Sequence, residues 1–304
     1  MKTTVIHHSA DFDGIFCREI ARKFLPEAEL IGWDWADPKI PAESFVPFST
    51  GEPVYILDLS PGCFSGTIPV QNLIWIDHHK SAIDEWSGAI PGYRIDGVAA
   101  CRLAWQWFQC CDGNWPAPRS SAMAPAGVLP MIQDYKNRTV NEPIAVRLAG
   151  EYDIWDKRDP NAELFQHGLR SQELRPADWG WLLSLEDPFN VVETLLRSGT
   201  AVQYAQKRQD EFVAKNRSFD VKWEGLNFMA INAVRCNSQT FEAATRPDHD
   251  ALMGFYWNGK VWNVSLYHAP HRKDLDLSAI ATKYGGGGHK GACGFRVDKL
   301  PFIP

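Results

Sequence analysis

Four short apolar runs constrain the fold of this chain more than any other feature of its sequence. They are KTTVIH (2–7), ELIGWDW (29–35), PVYILDL (53–59) and NLIWID (72–77). Their apolar residues show little alternation, which is typical of parallel strands covered on both faces. Segments with apolar residues at helical spacing follow, such as GIFCREIARKFL (14–25). The alternation of strand and helix predicts an α/β fold with a doubly wound parallel sheet.

The second half of the chain changes in character. Residues 188–217 form a long, charged stretch with the composition of a helix, and strand-like segments prevail after it. One pair of these segments is joined by WNGK (257–260), which predicts a hairpin with an Asn-Gly turn. We therefore expect three parts: a first domain of residues 1–187, a linker helix of residues 188–217, and a smaller α/β domain of residues 218–304.

Length, charge and cysteine content exclude several classes of protein. A chain of 304 residues exceeds the usual size of a single core. Its net charge of −6 argues against a protein that coats long duplex DNA. No apolar run reaches the roughly 18–20 residues of a membrane helix, so we expect no membrane partner. Seven cysteines without a C-x-x-C pair favour a reducing, cytoplasmic location.

Acids and histidines stand where three of the predicted strands end. In parallel sheets of this kind, ligands collect beyond the carboxyl ends of the strands. Chance would rarely place such residues at three ends that converge in one crevice. The residues are His7 and His8, followed by Asp11 and Asp13; Asp58; and Asp77, His78 and His79.

The residue types favour a site for divalent cations. Carboxylate oxygens with imidazole nitrogens suit Mn, Mg, Fe or Zn. Asp58 follows five apolar residues, where a carboxylate is costly unless a cation or a hydrogen-bond donor meets it. An alternative for Asp11 and Asp13 is that they cap the helix that starts near Gly14.

Four segments resemble the signatures of the DHH/DHHA1 phosphoesterase superfamily. They are HHSADFDG, YILDLS, WIDHHKSAI and GGGGHKGACGF, and they occur in the order and spacing of that superfamily. Its members include nano-RNA and pAp phosphatases, cyclic-dinucleotide phosphodiesterases, RecJ-like exonucleases and the related family II pyrophosphatases. The segment AGEYDIWDKRD (149–159) resembles a further motif, with Asp153 as the match and Asp156 as the substitute.

The resemblance implies two bound metal ions and a set of ligands. The ions are expected to be Mn, with Mg, Co and Fe as alternatives, and two such ions can activate water and stabilise charge on a phosphoryl oxygen. Asp58 and Asp153 would bridge the ions, Asp77 would orient His78, and His79 would face the substrate phosphate. The implied ligands are His7 or His8, Asp11, Asp13, Asp58, His78 and Asp153.

The first motif leaves the choice between His7 and His8 open. Neighbouring residues of a strand point to opposite faces, so only one of the two imidazoles can be a ligand. The spacing of four and six residues to Asp11 and Asp13 favours His7 and resembles the pyrophosphatase-like pattern. Relatives with a shorter motif place the histidine at the position of His8.

The C-terminal motif is expected to bind substrate. It lacks the spacing of a P-loop, but a glycine-rich loop brings backbone N–H groups close to an anion, and His289 and Lys290 add charge. We therefore expect Gly286, Gly287, Gly288, His289 and Lys290 to contact the substrate. Asn232 and Arg235 are weaker candidates in the same domain.

Together these features predict a metal-dependent phosphodiesterase or phosphatase. Its substrate would be a short nucleotide (an oligonucleotide, pAp or a cyclic dinucleotide) in a cleft between the two domains. An inorganic pyrophosphatase-like hydrolase is the alternative with the same fold. A nucleotide-binding sensor without activity is the alternative from another class. A homodimer is among the assemblies we expect.

Overall fold

The structure is a computed structural model that describes residues 3–86, 90–110, 129–186, 190–234 and 236–303. The chain divides into two compact units, Met1–Val202 and Gln203–Pro304. The division falls inside the long helix that the sequence predicts for residues 188–217, and the exact domain limits stay a prediction. Within these ranges, no helix is both long and apolar enough to cross a membrane.

The first unit is built on a five-stranded parallel sheet, as the apolar runs predict. The spatial order of the strands is β2-β1-β4-β6-β7. The chain leaves β1 to one side for β2 and to the other side for β4, so the order reverses between β1 and β4. The strands of this unit, including the two-residue pair β3 and β5, are β1 (Thr4–His8), β2 (Glu29–Trp33), β3 (Ile40–Pro41), β4 (Val54–Leu57), β5 (Phe64–Ser65), β6 (Leu73–Asp77) and β7 (Gly92–Arg94).

Apolar side chains cover both faces of this sheet. Val5 and Leu57 lie in a core with Phe16, which belongs to the helix after β1. Ile6 and Ile56, from the same two strands, lie in a second core on the other face. Burial on both faces explains why these strands carry continuous apolar residues rather than an alternating pattern.

Helices follow the strands in the first unit. Asp11 caps the first of them by accepting a hydrogen bond from the Gly14 N–H at 3.0 Å. The helices are α1 (Phe12–Phe24), α2 (Val46–Thr50), α3 (Lys80–Glu85), α4 (Ala100–Cys110), α5 (Ile132–Asn137), α6 (Ile144–Asp153), α7 (Pro160–Arg170) and α8 (Pro176–Leu182). The apolar spacing of VAACRLAWQWFQCC (98–111) also predicts a helix; α4 covers most of that stretch, and Cys111 lies outside the described residues. Short 3-10 helices occur at Ala42–Ser44, Pro61–Cys63, Val70–Asn72 and Ser238–Phe241.

The second unit is a six-stranded mixed sheet in the order β12-β13-β11-β10-β9-β8. The long helix α9 (Val191–Arg217) precedes it, and α10 packs against it through Leu277 and Ala281. The predicted Asn-Gly hairpin is present, and it joins two antiparallel strands. The elements are β8 (Ser218–Trp223), β9 (Leu226–Asn232), β10 (Ala251–Trp257), β11 (Trp262–His268), α10 (Leu277–Lys283), β12 (Gly287–His289) and β13 (Ala292–Val297).

The glycine-rich C-terminal motif is a strand pair, where a loop was expected. Residues of β12 pair with β13, and β12 forms the edge of the sheet. The glycines permit this close pairing, because a Cβ on Gly286 would lie 2.1 Å from the Gly294 carbonyl oxygen. Gly288 has φ +127°, a conformation that side-chain-bearing residues rarely adopt.

Candidate metal centre

The residues predicted from the strand ends gather where the sheet order reverses. His8 is the last residue of β1, and Asp58 directly follows β4, the strand hydrogen-bonded beside it. Asp77 is the last residue of β6, the next strand along the sheet. The parallel strands therefore deliver these side chains to one edge, at the point where open α/β sheets bind ligands.

His8 lies among carboxylates at the end of β1. Its Nδ1 is 2.9 Å from Oδ2 of Asp11 and 3.4 Å from Oδ2 of Asp58, and its Nε2 is 3.6 Å from Oδ1 of Asp34. Burial opposes a charge on the ring, but the neighbouring carboxylates of Asp11 and Asp58 outweigh it and raise the pKa of His8 to about 11. The surroundings of His8 therefore strongly favour positive charge.

His7 takes no part in this cluster, so the preference for His7 over His8 is not supported by the geometry. Its Nδ1 lies 2.8 Å from the backbone oxygen of His8, and its ring lies over Gly32 of the neighbouring strand. Val5, two residues earlier on the same face, packs against Phe16 of α1. Strand alternation turns His7 toward that core, and burial lowers its pKa. Of the two histidines, the structure brings His8 to the carboxylates.

Asp58 is the centre of the arrangement. Its backbone has φ +58°, in the left-handed region, which aspartate adopts more readily than most other residues. The side chain is buried, and neither carboxylate oxygen has a hydrogen-bond partner within the described residues. His8 and His78 approach at 3.4 and 3.5 Å, which is too long for good hydrogen bonds.

The charge state of Asp58 results from two opposing effects. Burial favours its neutral form, but the adjacent imidazoles of His78 and His8 lower its pKa below that of an ordinary aspartate. An ionised carboxylate with two free oxygens in a buried position calls for cations, and both of its neighbours are nitrogen bases that also bind metals.

A second group of side chains surrounds the imidazole of His78. Its Nε2 lies 3.6 Å from Oδ2 of Asp13, 3.5 Å from Oδ1 of Asp58 and 3.3 Å from Oδ2 of Asp153. One nitrogen therefore faces three carboxylates that come from α1, the end of β4 and the end of α6. Burial, opposed by Asp58, Asp13 and Asp153, leaves the pKa of His78 raised to about 10.

Asp13 is held by the start of another helix. Its two carboxylate oxygens accept hydrogen bonds from the backbone N–H groups of Ala100 and Cys101, each at 2.8 Å. These groups begin α4, so the carboxylate lies at the positive end of that helix. Burial and the nearby carboxylate of Asp58 nevertheless raise the pKa of Asp13 to about 7. The capping interpretation of the first motif thus holds for Asp11, whereas Asp13 fixes α4 and faces His78.

Asp77 supports His79, and not the ring of His78 as expected. Nδ1 of His79 donates to Oδ1 of Asp77 at 2.7 Å, and the same oxygen accepts the backbone N–H groups of His78 and His79. Side chains alternate in direction after β6, so Asp77 contacts the imidazole of His79, two residues later, and not that of His78. The hydrogen bond with Asp77 outweighs burial and raises the pKa of His79.

Asp153, and not its substitute Asp156, belongs to the centre. Asp153 is the last residue of α6 and lies beside His78. Asp156 instead forms an ion pair with Arg158, whose guanidinium also donates to the backbone oxygen of Lys136 at 2.6 Å. Burial and the carboxylates of Asp13 and Asp58 raise the pKa of Asp153.

The chemistry of these side chains fits divalent cations. Three overlapping groups bring their ligand atoms within 4.8 Å of one another: Asp58, His78 and His79; His8, Asp11 and Asp58; and Asp13, His78 and Asp153. Asp58 occurs in two groups, whereas Asp153 occurs in one. Buried atoms without hydrogen-bond partners lie in this cluster, namely Nδ1 of His8, both oxygens of Asp58 and Oδ2 of Asp77. Oxygen and imidazole donors without thiolate are those that Mn and Mg sites use.

His79 is a weaker ligand candidate than its group suggests. Its Nδ1 is the atom near Asp58, at 3.9 Å from Oδ1, and that atom already donates to Asp77. The side chain is 35% exposed, against 13% for His78. This arrangement leaves Nε2 of His79 as the ring nitrogen that is free of the Asp77 contact.

Asp34 is a residue of the centre that the sequence reasoning missed. It directly follows β2 and approaches Nε2 of His8 at 3.6 Å. The signal was available, because β2 is parallel to β1 and its carboxyl end lies at the same edge of the sheet. Its Oδ1 also accepts the N–H of Trp35 at 2.7 Å, so part of its hydrogen-bonding capacity serves the local turn.

The substrate-binding candidates in the second unit are far in sequence from the residues of the metal centre, and most of them lie at the surface of their unit. Gly287, Gly288 and His289 of β12 and the following Lys290 are exposed, and Gly286 is half-buried. Asn232, the last residue of β9, is exposed as well. Arg235 lies outside the described residues. The substrate contacts expected of these residues stay a prediction.

Comparisons with known proteins support the fold. No family model and no curated protein matches the chain. Among solved structures, the DHH domain of a member of the S1p family of ribosomal proteins is 13% identical, with 99% of this chain and 83% of that chain covered and a TM-score of 0.50.

Two further structures have slightly lower TM-scores. A pGpG-specific phosphodiesterase from Vibrio cholerae is 13% identical over 98% of this chain and 94% of its own, with a TM-score of 0.48. RecJ from Thermus thermophilus, in complex with Mg²⁺, is 14% identical over 98% and 47%, with a TM-score of 0.48. The likeness to the DHH domain is the one that bears on the fold. The chain therefore has the fold of DHH-domain proteins, which confirms at that level the resemblance that its four motifs carry to the DHH/DHHA1 superfamily.

Proposed function

We propose that this protein is a metal-dependent phosphodiesterase or phosphatase that hydrolyses short nucleotides. The observation that carries the proposal is the position of Asp58. A buried carboxylate whose two oxygens lack hydrogen-bond partners belongs to two of the groups with metal-ligand geometry. A carboxylate that belongs to two sets of donors would suit a pair of neighbouring divalent cations.

The side chains divide into two sets of ligands. His8, Asp11 and Asp58 would hold one ion, and Asp13, His78 and Asp153 would hold the other. Asp58 would also reach the second ion, because its Oδ1 lies 3.5 Å from Nε2 of His78 and it shares a further group with that residue. Two divalent ions, with Mn as the first choice, would supply an activated water and charge stabilisation at a phosphoryl oxygen. The bridging role first given to Asp153 as well as Asp58 is proposed here for Asp58 alone, since Asp58 is the carboxylate that occurs in two groups and Asp153 occurs in one.

The chain itself would orient the reacting phosphate. Asp77 fixes the imidazole of His79 through Nδ1, so that Nε2 can contact a phosphate oxygen. Asp13 is held in place by two backbone N–H groups of α4, which keeps its carboxylate directed at His78 without rotamer freedom. Rigid positioning of this kind is what turns a cluster of acids into a reactive site.

The charge of the molecule favours a small substrate. The chain has a net charge of −6, and most of its ligand set is anionic, so a long polyanion would be repelled. His289 and Lys290 are exposed in the second unit, where they would supply a local contact to an anionic nucleotide. Short RNA and DNA oligomers, pAp and cyclic dinucleotides all meet these conditions.

A substrate panel tests the proposal. The purified protein, with Mn²⁺, is incubated with short oligonucleotides, pAp, cyclic dinucleotides and pyrophosphate, and the products are identified by mass spectrometry. We expect release of mononucleotides or of phosphate from at least one nucleotide, and loss of that release in Asp58→Asn. Cleavage of pyrophosphate alone would establish the pyrophosphatase alternative. Nucleotide binding without turnover of any compound would establish the inactive sensor.

A further inference from the structure

A small cavity opens directly after the metal-centre residue Asp153. Its volume is about 210 Å³, and it lies at the end of α6 and the start of α7. Sites for drug-sized ligands occupy roughly 300–1,000 Å³, so this cavity suits a single ring system and not a whole dinucleotide. It is lined by Glu151, Tyr152, Trp155, Asp156, Lys157, Asp159, Pro160, Ala162 and Glu163.

Trp155 occupies a backbone position that normally selects glycine. The Trp155 N–H donates to the carbonyl of Tyr152 at 3.0 Å, and the Asp156 N–H donates to the carbonyl of Glu151 at 2.8 Å. These two bonds form a Schellman motif at the end of α6, in which the residue at the position of Trp155 is left-handed and is usually glycine. Trp155 has φ +54°, which is rare for a bulky residue and strains the backbone.

The ring that this strain positions is available to a ligand. The side chain of Trp155 is 47% exposed, and its ring centroid lies 5.6 Å from that of Tyr152 with an angle of 33° between the planes. Nζ of Lys157 lies 4.9 Å from the centroid of the Trp155 ring. The cavity thus presents an aromatic wall with a cation beside it, a combination suited to a flat ring that carries a phosphate.

Three of the four acids that line the cavity are paired with arginines. Glu151, which is fully buried, is bound by Arg138 at 2.7 Å and by Arg147 at 3.0 Å. Arg147 also bonds to Asp159 at 2.9 Å.

Asp156 has its own partner in Arg158. Lys157, in contrast, forms no ion pair with any residue that the structure describes. The wall therefore repels an anionic nucleotide less than its sequence suggests, and one ammonium group is left to attract it.

We propose that Trp155 is a base-stacking residue, and that the cavity binds the nucleobase of the nucleotide whose phosphate would be held by the ions bound at Asp58 and Asp153. The inference rests on the proposed function and names the part of the substrate that this site takes. Trp155 follows Asp153 by two residues, so their Cα atoms are at most about 8 Å apart. This separation is within the length of one nucleoside. The strained Trp155 backbone then serves to present the ring.

The affinities of two phosphorylated compounds, one with a base and one without, test this site without turnover. Adenosine 5′-monophosphate and ribose 5-phosphate share the sugar and the phosphate, and only the first carries a base. Isothermal titration calorimetry in the presence of Mn²⁺ measures both dissociation constants. We expect the wild type to bind adenosine monophosphate about 5- to 150-fold more tightly, which is the ~1–3 kcal/mol of one stacked base at 1.4 kcal/mol per tenfold.

Two substitutions of Trp155 carry the test. Trp155→Gly removes the ring but suits the left-handed backbone, so the protein should stay folded. The ratio of the two dissociation constants should fall to nearly one, and the affinity for ribose 5-phosphate and for Mn²⁺ should stay within about twofold. Trp155→Phe keeps an aromatic face and should retain most of the ratio.

The outcomes separate this inference from the proposed function. A wild type with no preference for the base, or a Trp155→Gly variant that keeps the preference, would overturn the stacking site while leaving hydrolysis untouched. A Trp155-dependent preference in a protein that cleaves no nucleotide would retain the stacking site and overturn the proposed function.

Discussion

Replacement of each of the two neighbouring histidines tests the assignment of the first motif. His7→Ala removes a buried ring and its contact with the backbone oxygen of His8, so we expect a loss of about 2–4 kcal/mol in the free energy of unfolding. His8→Ala removes a ring that lies within 3.4 Å of carboxylates of Asp11 and Asp58. That change leaves Asp58 buried with one fewer partner, at a comparable cost of about 3–5 kcal/mol. Stability alone therefore does not separate the two residues.

Metal-linked stabilisation does separate them. A cation at 100 times its dissociation constant stabilises a folded protein by about 2.7 kcal/mol. In His7→Ala this increment should be kept. In His8→Ala the loss of a ligand should weaken metal binding at least ~100-fold, because even the loss of a residue that only hydrogen-bonds to a ligand can cost that much. At the same free metal concentration, the stabilisation would fall to about 0.4 kcal/mol.

The assay is urea unfolding with and without Mn²⁺ at a fixed free concentration, followed by circular dichroism. Inductively coupled plasma mass spectrometry after desalting counts the bound ions for each variant. The reasoning is refuted if His7→Ala loses the Mn²⁺ increment while His8→Ala keeps it.

Three further changes test the rest of the centre. Asp153→Ala should lower kcat at least about 10²-fold, because a metal ligand is worth several kcal/mol to the reaction. Asp156→Ala should change kcat less than about threefold and lower the free energy of unfolding only by the ~0–1 kcal/mol of its surface pair with Arg158. The reverse order of these effects would identify Asp156, and not Asp153, as the metal ligand. Asp58→Asn should leave the fold intact, since asparagine tolerates a left-handed backbone. It should reduce the number of bound ions to fewer than two and lower kcat at least about 10²-fold; two bound ions and normal turnover in this variant would refute the bridging role of Asp58. His289→Ala should lower kcat/KM for a dinucleotide about 10²-fold, the value of a charge-assisted hydrogen bond. For bis-p-nitrophenyl phosphate, kcat/KM should fall only a few-fold; equal losses on the two substrates would mean that His289 acts on the reacting bond or on the fold.

Much of the first unit was predictable because the relevant signal is local. Apolar runs identify the strands, and a parallel sheet sends all their carboxyl ends to one edge. Asp58 and His78 could therefore be placed together from sequence alone. Asp153 could not be placed in that way, since its position depends on how α6 packs, and only the family resemblance identified it.

The errors arose where the answer depends on tertiary contacts. Strand alternation shows that His7 and His8 point to opposite faces, but not which face the carboxylates share. The partner of Asp77 depends on how the chain turns after β6, and the structure directs it to His79.

Composition also concealed two features. The glycines of the C-terminal motif suggested a loop, yet their lack of side chains allows β12 to lie close against β13. Trp155 stands at a position where local preference predicts glycine, so its left-handed backbone is invisible in the sequence.

The most direct test of the central claim is hydrolysis in ¹⁸O-labelled water. The metal-stripped protein is incubated with a dinucleotide, with and without added Mn²⁺, and the released mononucleotide is analysed by mass spectrometry. The account predicts that Mn²⁺ starts the release, that each cleavage places one ¹⁸O in the new phosphate group, and that Asp58→Asn abolishes both. Equal release from metal-stripped protein, or release without ¹⁸O in the phosphate, would contradict it.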